Sequence, residues 1–178
     1  MLIAAWLLGA LLLFWSLGAY NRLMRLRHGI AAAWQQLEGP LRDTVEAGQR
    51  ISAAGSAWLP AEGPAFETLR QTSADLAQAL TAVAAKPHLA EPVAQLAVAQ
   101  ALHGSATQRA RALLEVHARD SDDGERRALL TQLQLAEQQR DFCRQLFNQR
   151  VQAFNAGLAE WPTRALAGLF GFHDAGRF

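Results

Sequence analysis

Residues 20–59 read YNRLMRLRHGIAAAWQQLEGPLRDTVEAGQRISAAGSAWL, and within them Leu23, Leu26, Ile30, Ala33, Leu37, Leu41, Thr44, Gly48, Ile51, Gly55 and Trp58 recur at spacings of three and four. At 3.6 residues per turn those positions share one face, so the stretch predicts a single long amphipathic helix. Gly39 and Pro40 lie in its middle. Proline lacks a backbone donor and clashes with the preceding turn, which predicts an interruption and a kink there. The apolar stripe resumes beyond it, until Pro60, Gly63 and Pro64 make a turn.

The same period runs through the rest of the chain. Phe66, Leu69, Ser73, Leu76, Leu80 and Val83 predict a second helix over 64–85, stopped by Lys86 and Pro87. Val93, Leu96, Ala106, Ala110, Leu113 and Val116 predict a third over 92–118, weakened in its middle by Gly104 and Ser105. Asp120 to Gly124 form the next turn, in which Asp122 can cap and Glu125 completes a capping-box-like pair. Leu130, Leu133, Phe147, Val151, Phe154, Leu158 and Trp161 place a fourth helix over 122–161, ended by Pro162. No strand-like alternation interrupts the pattern. The expected fold is all-α: an antiparallel up-down four-helix bundle over 21–162, which brings the end of its last helix beside the start of its first.

Ahead of the bundle, residues 1–20 carry no ionisable side chain except the Tyr20 phenol, and Leu2 to Gly18 are almost wholly apolar. About 20 residues at about 1.5 Å each span a hydrocarbon layer of roughly 30 Å, so this run is expected to be an N-terminal transmembrane helix of just sufficient length. Trp6, Trp15 and Tyr20 suit the membrane interface, as do Arg22 and Arg25. Arg22, Arg25, Arg27 and His28 follow the run with no side-chain charge before it. The positive-inside rule therefore puts the bundle on the cytoplasmic side of the membrane. The competing reading is a cleaved signal with small residues at Ser16-Leu17-Gly18, which would leave a secreted or periplasmic helical domain. Against it stand the missing basic leader, the length of the apolar run and the unbroken start of the next helix.

The tail, 163–178, is apolar around Leu166, Leu169, Phe170 and Phe172 and flanked by Arg164 and Arg177. It can rest among lipid headgroups or fold back over the base of the bundle; burial of apolar area favours both.

Composition excludes several functions. In 178 residues, 17 Lys and Arg oppose 16 Asp and Glu, so no global field draws the chain to nucleic acid. The one cysteine, Cys143, rules out an internal disulfide and a four-thiolate zinc site, and among Ala136, Arg140 and Phe147 it reads as core. Asp120 to Gly124 fail the calcium-loop pattern, with glycine at the fifth position and Thr131 where the bidentate glutamate belongs. His28, His88, His103, His117 and His173 are scattered and lack the pair spacing of a helical metal site, so they read as surface or capping residues. No cofactor or metal site and no catalytic set is expected. Glu137, Arg140 and Arg144 put charge on the stripe of Leu133 and Phe147, which predicts either a half-buried ion pair between Glu137 and an arginine or an arginine reaching polar groups on the first helix. Asn148 and Asn155, seven apart, share a face and could bond between helices.

Two stretches resemble the LemA family of bacterial membrane proteins. The first, YNRLMRLRHGIAAAW, is similar to the family's opening after its membrane helix, with Tyr20, Asn21, Leu26, Arg27 and Trp34 as the matching residues. The second, EQQRDFCRQLFNQRVQAFNAGLAEWP, resembles its final helix, through Glu137, Arg144, Phe147, Asn148, Val151, Phe154, Asn155 and Pro162, followed by a Gly-Phe tail. The chain departs from the family pattern at Arg42 to Ala47 and at His117 to Gly124, as a divergent member would. The resemblance implies one anchor and a four-helix bundle, and it transfers no activity. The resulting expectation is a non-enzymatic, membrane-tethered interaction or scaffold protein with the lipid bilayer, a membrane or cytoplasmic protein, or further copies of itself as partners. The alternative is a self-assembling, membrane-remodelling protein.

Overall fold

The computed structural model of the chain describes residues 2–117, 124–160, 163–169 and 171–178. The described residues form five α-helices: α1 (Leu2–Trp58), α2 (Gly63–Ala84), α3 (Ala90–His117), α4 (Gly124–Ala159) and the short α5 (Thr163–Leu169). A 3-10 turn, Pro60–Glu62, links α1 to α2. Asp120 and Asp122, the expected capping turn, and Trp161 and Pro162 lie outside the described residues.

α1 is continuous through Pro40, so the expected interruption does not occur. The carbonyl that Pro40 leaves without a donor belongs to Gln36, an exposed residue where water can serve it.

The expected transmembrane anchor over residues 1–20 is also corrected. Among the described residues, no helix is long and apolar enough to cross a membrane. As helix, the run Leu2–Gly18 measures about 26 Å, short of the roughly 30 Å hydrocarbon layer. It passes without a break into the arginine-bearing turns that follow, so residues 2–20 form the first turns of α1 and not a separate element.

α1 is the organising element. It packs along α4 on one side and α2 on the other, and α2 carries α3. Contacts run in opposite senses along each pair: Leu23 and Leu26 meet Gly157 near the end of α4, while Gly55 meets Phe66 near the start of α2. The core falls into two clusters. One holds Leu23, Ile30, Trp34, Leu37, Leu41, Leu80, Val83, Val93, Leu96, Phe147, Val151 and Phe154. The other holds Ile51, Phe66, Leu69, Ala110, Leu114 and Leu133. On α3 the inward position is Leu114, whereas Val116, expected on the stripe, is exposed.

The tail folds back on the bundle. Ala175 is buried, and Phe172 and Phe178 pack against the first core cluster. Phe172 lies 6.0 Å from the Tyr20 ring and 6.4 Å from the Phe154 ring, centroid to centroid. Burial of those rings between α1 and α4 decides what the apolar sequence left open.

Candidate functional site

Three places concentrate features that packing alone does not require. The first is the free end of α1. Ile3, Trp6, Leu7, Leu11, Leu12, Leu13, Phe14 and Leu17 are all more than half exposed, and Trp15 is exposed as well. Trp6, Gly9, Ala10 and Leu13 line a shallow apolar depression on this arm. At its base Tyr20 is half-buried, while Asn21, Arg22 and Arg25 are exposed. Arg22 reaches Glu160 at the end of α4 at 2.5 Å, and that contact raises the guanidinium pKa and lowers that of the carboxylate. Exposed apolar side chains on this scale mark a surface meant for something other than water.

The second is a polar layer between the two core clusters. Thr44 of α1, Ser73 of α2, and His103 and Thr107 of α3 are buried there. The hydroxyls bond to their own helices, Thr44 to the Pro40 carbonyl at 2.8 Å and Ser73 to the Leu69 carbonyl at 2.7 Å. His103 is fully buried, against the expectation of a surface histidine. Its Nδ1 meets the Thr107 hydroxyl at 3.5 Å, and its Nε2 has no hydrogen-bond partner. Burial, and secondarily the positive Arg140, push its pKa down to about 4, so the ring is neutral at physiological pH. Gly48 makes room for it: a Cβ there would stand 2.7 Å from His103 Nε2 and 2.8 Å from Ser73 Oγ. The sequence held a signal for His103, because Leu96, His103 and Ala110 fall at successive heptad positions.

The third is the seam between α3 and α4. Asn148 and Asn155 do share a face of α4, but they bond the tail, not a neighbouring helix. Asn155 Nδ2 donates to the Ala175 carbonyl at 3.0 Å, and the Ala175 N–H donates back to Oδ1 at 2.8 Å. Asn148 repeats the exchange with Phe178, donating to its carbonyl oxygen and accepting its N–H at 2.8 Å. Gly176 lies between them against α3, where a Cβ would come within 2.7 Å of Ala90 Cα.

The remaining motif residues are distributed through the bundle. Leu26 is partly buried beside Gly157. Arg27 donates to His88 Nε2 at 2.8 Å. Burial, then Arg27 and Lys86, lower the His88 pKa. Trp34 is buried edge-on to Phe147, 6.1 Å between centroids. Val151 and Phe154 are core. Glu137 forms the expected half-buried pair, and its partner is Arg111 of α3 at 2.8 Å. Arg140 pairs with Asp141, and Arg144 is exposed. Pro162 lies outside the described residues. Cys143 is half-buried beside the first core cluster. Sequence reasoning missed Arg126, buried over the Trp58 ring at 5.4 Å, because nothing in its spacing separates it from a solvated arginine.

Chemically, the two asparagines clamp the tail, the α3 layer holds a neutral imidazole, and the end of α1 presents apolar side chains. Among the described residues, no three His, Cys, Asp or Glu side chains come together as a metal set. The cleft of about 260 Å³ between α1 and α4 is lined by Asp43, Glu46, Arg50 and Gln132. There Arg50 is engaged by Glu46 at 2.5 Å. No curated protein and no solved structure matches the chain. The LemA family model matches residues 66–178, which takes in the asparagine-bearing helix, the tail and the histidine layer of α3. That match covers more than half of the chain, and the protein belongs to the LemA family.

Proposed function

We propose that the protein is a non-enzymatic interaction module held at a membrane by the free end of α1. The arm inserts its apolar side chains into the lipid surface, and the bundle stands clear of it to meet protein partners. The observation that carries this reading is the exposure of Ile3, Trp6, Leu7, Leu11 and Phe14 on an arm that projects from an otherwise amphipathic bundle. Insertion into the headgroup and upper acyl region removes that area from water, at roughly 25 cal/mol per Å². Arg25, exposed at the base of the arm beside the Arg22–Glu160 pair, favours an anionic leaflet such as the cytoplasmic face of a bacterial membrane.

The test is flotation of the purified full chain with vesicles of neutral and anionic phospholipid, some of them brominated. The protein should float, and bromolipid should quench fluorescence that disappears when Trp6 and Trp15 are both replaced by tyrosine. A folded protein that stays with the dense fraction refutes the proposal. If it instead forms large lipid-free oligomers through the arm, the apolar surface serves self-assembly.

A further inference from the structure

We propose that the seam between α3 and α4 is a peptide groove that reads an extended backbone, and that it accepts the tail of a second copy of this chain in exchange for its own. All four hydrogen bonds made by Asn148 and Asn155 go to backbone N–H and C=O groups, at Ala175 and Phe178. A primary amide presents a donor and an acceptor side by side, so each asparagine offers the tail what a neighbouring β-strand would offer. Seven residues of helix separate the two amides by about 10 Å, which is the reach of three extended residues. The spacing of Asn148 from Asn155 thus matches that of Phe178 from Ala175.

Selectivity comes from the other wall. Ala90 and Val93 of α3 leave no space for a side chain at Gly176, and Phe172 and Phe178 fill the apolar ends. The groove therefore suits a strand of the form Phe-x-x-Ala-Gly-x-Phe, which this chain carries at 172–178. Gly171, whose φ of +68° turns the chain out of α5, precedes Phe172, whose N–H bonds back to the Ala167 carbonyl at 3.0 Å and so anchors the start of the strand. A tail arriving from another copy would recreate every contact that the resident tail makes, the condition under which identical elements exchange readily.

The experiment uses two full-length variants in detergent. Gly176→Ala obstructs a chain's own tail and leaves its groove intact; Asn148→Ala with Asn155→Ala disables the groove and leaves the tail intact. Tagged Gly176→Ala protein should capture the untagged asparagine variant at close to one-to-one. Excess synthetic peptide GFHDAGRF should reduce that capture at least tenfold. Absence of capture overturns the proposal, and so does capture that survives saturating peptide, since the association then uses another surface. Should Gly176→Ala lose its helical circular dichroism, Ala175→Asp opens the groove by placing a charge at a buried position and must give the same outcome.

Discussion

Asn155 and Ala175 exchange a pair of hydrogen bonds across the seam, side-chain amide to backbone, at 3.0 and 2.8 Å. Ala175 is buried and Asn155 half-buried, so removing the side-chain amide leaves the Ala175 N–H and carbonyl without their partner. Asn155→Ala should therefore cost about 1–3 kcal/mol, the penalty of leaving buried polar groups unsatisfied. Asn155→Asp should cost more, because its carboxylate faces the Ala175 carbonyl where the amide donated. Urea unfolding midpoints followed by circular dichroism will report both changes.

His103 makes stability depend on pH. Its pKa is lowered from 6.5 to about 4 in the folded chain by burial and by Arg140. The unfolded chain therefore takes up a proton first as pH falls. Stability should be full above about pH 6.5, decline through that point, and level off below about pH 4. The loss is bounded at about 3 kcal/mol by linkage. His103→Leu should remove most of the slope. His88, shifted in the same direction by burial, Arg27 and Lys86, should retain a smaller part. Thermal midpoints at pH 7.5 and 5 will separate the two proteins.

Gly55 sets how closely α1 approaches α2. A Cβ there would stand 2.1 Å from the ring of Phe66, which is fully buried and cannot swing aside. Gly55→Ala should destabilise the bundle by about 1–3 kcal/mol through overpacking. Phe66→Leu in the same chain should recover part of that loss, and a double-mutant cycle on unfolding free energies measures the coupling.

Glu137 and Arg111 form an ion pair between α4 and α3, with side chains 22% and 32% exposed. A pair this accessible should couple by about 0.5–1 kcal/mol. A cycle between Glu137 and Arg144, whose nearest carboxylate is that of Asp141 at 3.9 Å, should show less. Equal coupling in both cycles would contradict the pairing.

The helices were legible because their positions follow from period alone. Leu23 to Trp58 and Phe66 to Val83 carry the 3.6-residue stripe, and Leu133 to Leu158 carries it with Glu137 and Arg140 set into it; those stripes are where the core lies. Boundaries at Trp58, Ala84 and Ala159 fall within two residues of those the turn signals indicate. The pattern weakened on α3, whose apolar residues lie on more than one face: Val98, Leu102 and Val116 point out while His103 and Thr107 point in.

Sequence alone determined that the chain is helical, where the turns after Trp58 and Ala84 fall, its family resemblance and the shared face of Asn148 and Asn155. Tertiary structure decided what those faces meet. It chose the tail as partner of the asparagines, Arg111 as partner of Glu137, and burial for His103. It also showed that, among the described residues, no helix is long and apolar enough to cross a membrane. The physical reason is that periodicity reports which side of a helix is inward, whereas a contact depends on the depth and register of a second element, which lies far away in the chain.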